Sequence, residues 1–223
     1  MAKKTHRGER RTDALSRQRI IAAAIELLDA GGEGALTIRA LASRLATGSG
    51  AIYWHVTDKN ELLAQAADEV IAGVMAKIVD GARPKDAIRA VALGVFDAIE
   101  AHPWVGTQLF REPWRPATLQ IMEGISQQLH RLGGPGAARF NSVTALLHYI
   151  LGVAGQNAAN ARLAAPHMDR PAFLASVAAQ WAAQDPARYP FVRQMADELR
   201  DHDDREQFLA GIDLILAGIG TDR

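Results

Sequence analysis

Apolar residues return every three or four positions from Ser16 almost to the C-terminus, and no stretch alternates convincingly between apolar and polar. A repeat of 3.6 is that of a helix burying one face, and a chain without the repeat of two builds no sheet. The fold class is therefore all-α. Glycine and proline stand where the period breaks, at Gly31-Gly32, Gly81 to Pro84, His102-Pro103, Pro113 to Pro116, Gly133 to Gly136, Pro166, Pro171 and Pro186 to Pro190. Beyond residue 84 this punctuation predicts helices over 85–101, 104–111, 116–132, 137–163, 170–184, 190–200 and 204–219.

Ahead of that punctuation the elements are shorter. A first helix is predicted from Ser16 to Ala30, with Ile20, Ile21, Ala24, Ile25, Leu27 and Leu28 inward and Gly31-Gly32 ending it. Thr37 is placed to cap a second, short helix carrying Ile38, Leu41, Ala42 and Leu45. A turn follows over Ala46, Thr47 and Gly48, then a third helix from Ser49 to about His55. The fourth starts at Thr57-Asp58, where Asp58 and Glu61 have capping-box spacing, and runs to about Val79. Two short helices on a three-residue turn, braced by a preceding helix, are the parts of a helix-turn-helix. In that arrangement the second short helix enters the DNA major groove. The residues AIYWHV, Ala51 to Val56, cannot all face a core. Ile52 and Val56, one helical turn apart, face inward, which leaves Ser49, Gly50, Tyr53, Trp54 and His55 for base edges or phosphates. The alternative for Tyr53 and Trp54 is packing against the fourth helix.

The stretch LTIRALASRLATGSGAIYWHVTDKNELL resembles the signature of the Tet repressor (TetR) family of one-component bacterial regulators. A Leu-Ala pair, a turn, an apolar-Tyr-x-His-apolar run and a Lys-x-x-Leu-Leu close occur there in order, and Tyr-Trp-His-Val with Lys59 resembles the Tet-repressor branch in particular. The resemblance implies that Thr37 and Arg39 on the second helix, and Tyr53, Trp54, His55 and Lys59 around the third, contact operator DNA, with Lys59 on a phosphate. Two positions depart from it. Ala46 stands where the family has glycine, which costs about 1 kcal/mol in left-handed backbone or demands a different turn. Gly48-Ser49-Gly50 replaces larger base-reading side chains, so the docking mode carries over but the operator sequence does not.

The resemblance also divides the chain into a basic arm over 1–15, a DNA-binding head over 16–62 and a ligand-binding and dimerisation domain over 63–223. LLHYILGVAGQNAANA and FLAGIDLILAGIG, apolar on wide arcs and set with Gly152, Gly155, Gly211 and Gly218, read as helices with partners on more than one side. Burial within one subunit satisfies that pattern; the resemblance implies a homodimer interface instead. It implies too an effector pocket, for which the candidates are Met75, Val95, Trp104, Leu109, Phe110, Trp114, Met122, His148 and Asn157. Aromatic walls with few polar groups suit an apolar or aromatic effector, although such side chains at helical spacing also serve as plain core. An ungapped alignment of EAHPWVGTQLF puts Leu109 where the branch holds a metal-binding histidine, and Val91 and Met75 where it holds polar drug contacts. No metal site and no cofactor are therefore expected.

Charge supports a polyanion partner at one end. The chain balances 25 Lys and Arg against 25 Asp and Glu, yet residues 1–19 hold Lys3, Lys4, Arg7, Arg10, Arg11, Arg17 and Arg19 against Glu9 and Asp13 alone. With no cysteine, disulfides, thiolate metal sites and cysteine nucleophiles are excluded. No apolar run has the roughly 20 residues of a membrane span, and none follows the basic start as in a signal peptide, so a cytoplasmic protein without membrane contact is expected. Gly-x-Ser-x-Gly, a phosphate loop and His-Glu-x-x-His are missing, and no catalytic residue is assigned. The expected function is a ligand-responsive repressor that releases its operator on binding a small molecule. The competing reading is a small-molecule-binding or protein-interaction module of the same fold with weak or lost DNA binding.

Overall fold

A computed structural model describes residues 15–79, 81–111, 113–133, 136–163, 169–200 and 202–219. Among them are twelve helices and no strand: α1 (Arg17–Ala35), α2 (Ile38–Arg44), α3 (Ser49–Tyr53), α4 (Lys59–Met75), α5 (Pro84–Ala101), α6 (Pro103–Arg111), α7 (Pro116–Arg131), α8 (Gly136–Leu163), α9 (Arg170–Ala182), α10 (Pro190–Gln194), α11 (Ala196–Arg200) and α12 (Asp204–Gly218). The all-α expectation holds. By packing, the helices gather into two compact units, one running up to Lys77 and resuming over Ala101–Ile121, the other made of Ile78–Glu100 and the chain from Met122 onward.

In the first unit, α1 lies against α2, α4 and α6, and α4 also lies against α6. Ile20, Ala24 and Leu28 of α1, Leu41 of α2, Ile52 of α3, Leu62, Leu63 and Ile71 of α4, and Trp104 and Val105 of α6 form its core. Each such aliphatic side chain, fully buried, contributes about 1.5–3 kcal/mol, which holds together helices too short to persist alone. Ile25 and Leu27, expected inward, are half-buried. Side chains close the helix starts. Ser16 Oγ accepts from the Arg19 N–H at 3.2 Å, Thr37 Oγ1 from Ala40 at 3.0 Å, and Asp58 Oδ1 from Glu61 at 2.9 Å.

In the second unit, α12 packs on α8 and α11 on α9. Phe208 is fully buried, stacked between Phe96 at 4.6 Å and Tyr149 at 5.7 Å between ring centroids. Tyr149 Oη donates to the Phe208 carbonyl at 3.2 Å. Asp169 and Asp203 cap α9 and α12. Arg89 pairs with Asp213 at 2.6 Å, joining α5 to α12.

Four predicted boundaries are corrected. Gly31 and Gly32 interrupt α1 with φ −155° and +65°, but the chain re-enters one more turn and ends at Ala35, not Ala30. The third helix stops at Tyr53 because the His55 N–H turns back to the Ile52 carbonyl. The fourth stops at Met75, short of Val79, as Lys77 N–H bonds three residues back to Val74 and tightens the last turn. The helix expected over 190–200 breaks at Met195 into α10 and α11.

Candidate nucleic-acid interface

The reading head is α2, its turn and α3. Ala46 takes φ +50° in that turn, the left-handed backbone for which glycine is best suited, so the alanine is accommodated with strain and the turn is kept. Leu45 N–H returns to the Leu41 carbonyl at 2.9 Å and Thr47 N–H to Ala42 at 2.9 Å, which closes α2 and fixes the direction of α3. Ile52 is 0% and Val56 3% exposed, and these two anchor the recognition helix in the core. Tyr53 is 58% and Trp54 90% exposed, so neither is packed away against α4. Ser49 and Gly50 are exposed at the start of α3 and His55 is half-buried. A Cβ built on Gly50 meets nothing within 4 Å, so the small residue leaves open space on the outer face rather than serving internal packing.

Around α3 stand the other expected contacts. Arg39 is exposed on α2, and Thr37 is exposed while its hydroxyl serves the cap of that helix. Lys59, exposed at the start of α4, donates from Nζ to the Glu33 carbonyl on the last turn of α1. An ammonium has three protons, so this bond places the lysine without exhausting its donors. Arg44 pairs instead with Glu26 of α1 and braces α2 from the side. Of the basic arm, Leu15 is described; Lys3, Lys4, Arg7, Arg10 and Arg11 lie outside the described residues.

Behind the head, α6 and the start of α7 are tied to α1 and α4 by groups that carried no signal in the sequence. Asp29 Oδ1 receives the buried Trp104 indole N–H at 2.8 Å and lies 2.7 Å from His102 Nδ1. Glu33 takes Gln108 Nε2 at 2.9 Å and reaches Arg111 at 3.4 Å. On α4, Glu61 receives Gln65 Nε2 at 2.7 Å and Arg115 at 3.0 Å, and those two hydrogen bonds hold its carboxyl below the ordinary range. Gln65 is buried, and its other amide atom accepts from Arg17 Nε at 3.0 Å. Asp68 receives the Ala117 N–H at 2.8 Å, yet burial outweighs that bond and pushes its carboxyl up.

The expected effector residues fall in both units. In the first, Leu109 is buried and borders a cavity of about 330 Å³, Trp104 is buried, Met75 is half-buried, and Phe110 and Trp114 are exposed. In the second, Val95 is fully buried in α5, Met122 and Asn157 are half-buried, and His148 is exposed. The residues that border that cavity alongside Leu109, among them Asp68, Arg111, Arg115 and Thr118, were not expected from the sequence. Their proximity arises only when α4 meets α6 and α7, and no spacing along the chain announces it.

Known proteins share this architecture. Residues 20–66 match the family profile described as bacterial regulatory proteins, tetR family, and residues 82–223 match that of the tetracyclin repressor-like C-terminal domain. A solved TetR transcriptional regulator from Streptomyces coelicolor is 53% identical, with a TM-score of 0.84 over 92% of this chain and 97% of that one. An HTH-type transcriptional regulator of Saccharopolyspora erythraea is 30% identical over 139 residues, 62% of this chain and 59% of that protein's length. ActR of Streptomyces coelicolor, solved in complex with actinorhodin, is 22% identical with a TM-score of 0.74 over 92% of this chain and 96% of that one, a likeness of fold. The two profile matches, one on the head and one on most of the remaining chain, mean that this chain belongs to the TetR family of bacterial DNA-binding transcriptional regulators.

Proposed function

We propose that the chain is a cytoplasmic, homodimeric repressor, with no enzymatic role, that binds operator DNA through α3 and releases it when a small molecule binds. The observation that carries DNA reading is the split along α3. Ile52 and Val56 are sealed in the core while the adjacent Tyr53 and Trp54 stand in solvent. Large aromatic surface held outward beside a lysine and two helix starts is surface kept for a partner. Tyr53 Oη and the His55 imidazole suit phosphate oxygens, Trp54 suits sugar or base edges, and Lys59 and Arg39 supply charge. Ser49 and Gly50 let the backbone of α3 approach the bases, and Thr37 caps the helix that crosses the phosphates.

Family membership supports ligand response, and the bound actinorhodin in ActR shows this fold holding a small molecule. The effector proposed for this chain is apolar or aromatic, in keeping with the aromatic and methionine side chains of the expected lining, Trp104, Phe110, Trp114, Met75 and Met122 among them. An effector that favours another conformation of the head lowers DNA affinity, and DNA lowers effector affinity by the same factor. Helix α4 carries Lys59 at its start and Met75 at its end, a direct mechanical route within one helix.

The test is a fluorescence titration of labelled, mixed-sequence duplex DNA with the full chain across a salt series, repeated with the Tyr53→Ala, Lys59→Ala double variant. Binding that falls steeply with salt and collapses in the variant is the expected result. Equal, weak binding by both proteins overturns the reading and favours the module that binds a small molecule or a protein without reading DNA.

A further inference from the structure

Helix α1 is interrupted before its end. Gly31 takes φ −155° and ψ 19°, Gly32 takes φ +65° and ψ −166°, and Glu33 to Ala35 form one more turn beyond them. Backbone such as that of Gly32 is almost confined to glycine and breaks the helical ladder, so the direction of the last turn is set from outside α1.

Helix α6 sets it. Just before the break, Asp29 receives the Trp104 indole N–H at 2.8 Å. Just after it, Glu33 Oε1 receives Gln108 Nε2 at 2.9 Å, and Oε2 lies 3.4 Å from both terminal nitrogens of Arg111. Trp104 and Gln108 are four apart on α6, as Asp29 and Glu33 are on α1, so one face of α6 splints both sides of the break. Trp104 and Leu109 are buried, which holds α6 itself in the core. Through its backbone the same Glu33 faces the reading head, its carbonyl accepting from Lys59 Nζ at the start of α4. Glu33, Lys59, Gln108 and Arg111 all belong to the first unit. Fixing a lysine ammonium on a phosphate costs the rotamer freedom of a long stem. A carbonyl that already holds the ammonium removes that freedom before DNA arrives and leaves its other protons to donate.

We propose that Glu33 is a positioning residue for DNA binding: its carboxylate, held by Gln108 and Arg111, fixes the last turn of α1 so that its carbonyl keeps Lys59 poised for a phosphate. This rests on the reading of Lys59 as a phosphate contact. The sign of the effect separates positioning from simple charge. Glu33 is an anion on the residue that holds the lysine, so Coulomb repulsion alone predicts that its removal tightens the grip on a polyanion. Positioning predicts the reverse.

The experiment is titration of labelled, mixed-sequence duplex DNA with the full chain across a salt series, with helical circular dichroism recorded for every variant. Lys59→Met should weaken binding about tenfold and lower the slope of log K against log salt by about 0.9, the loss of one phosphate contact. Glu33→Ala should weaken binding about three- to tenfold and lower the slope in the same direction. The Glu33→Ala, Lys59→Met double variant should bind no more weakly than Lys59→Met, since both changes remove one contact. Glu33→Gln keeps a carbonyl oxygen for α6 and should restore most of the affinity lost in Glu33→Ala. Gln108→Ala changes no charge and should weaken binding about threefold; if Glu33→Ala fails to fold, this variant decides, and its binding like the intact chain overturns the proposal. Binding by Glu33→Ala as tight as that of the intact chain or tighter, or losses that add in the double variant, overturns the proposal and leaves the phosphate role of Lys59 standing. Lys59→Met binding like the intact chain overturns both.

Discussion

Ala46 and Gly211 are mirror cases at the scale of single residues. Ala46 bears a Cβ where φ is +50°, so Ala46→Gly should relieve strain and stabilise the head by about 0.5–1 kcal/mol net of the extra freedom glycine has when unfolded. A higher denaturant midpoint at unchanged slope would record it. Gly211 lacks a Cβ where one would fall 1.9 Å from Tyr149 Oη. Gly211→Ala should therefore force the tyrosine off the Phe208 carbonyl and destabilise by about 1–3 kcal/mol, seen as a fall in Tm. The turn was anticipated through the family resemblance, which puts glycine at position 46 and left either a left-handed alanine or a different turn, and the structure has the former. The close approach at Gly211 was not, since glycine on an apolar helix also fits a dimer seam, and only the arrival of Tyr149 from α8 tells the two apart.

At the scale of elements, the caps at Thr37 and Asp58 follow from local chemistry and needed no tertiary partner to be read. The bracing of α1 and α4 by α6 and α7 is different in kind. Asp29 sits in an ordinary helix, yet it satisfies the indole N–H of buried Trp104, so Asp29→Ala should cost about 1–3 kcal/mol by leaving that donor unpaired, as equilibrium denaturation would show. Glu61 contributes a pH dependence of definite sign. Its folded value lies below the ordinary 4.5, so its stabilisation is present above 4.5 and is lost as the pH falls through the folded value. Glu61→Gln should flatten that part of the acid limb in urea midpoints compared at pH 7 and at successively lower pH. Asp68, whose folded value lies above its ordinary 3.8, acts oppositely, its burial costing stability as the pH rises from 3.8 through the folded value.

For the whole molecule, the homodimer proposed above would present two recognition helices roughly 34 Å apart, and Leu214, 76% exposed on α12, is offered as part of its interface. Leu214→Glu should shift the protein from dimer to monomer in sedimentation and weaken DNA binding with it, while an unchanged sedimentation coefficient would place the interface elsewhere. The sequence by itself determined the helical class, the head with Ile52 and Val56 inward, and the caps at Thr37 and Asp58. All of these follow from periodicity and turn chemistry, which act over one or two helical turns. Only the tertiary structure decided that α6 and the start of α7 pack with the head, that Asp29, Glu33 and Glu61 bind them there, and that Asp68, Leu109, Arg111 and Arg115 border one cavity. Those residues lie some fifty to eighty positions apart in the chain, and what unites them is the packing of helix faces, a property of pairs of helices that no single helix encodes.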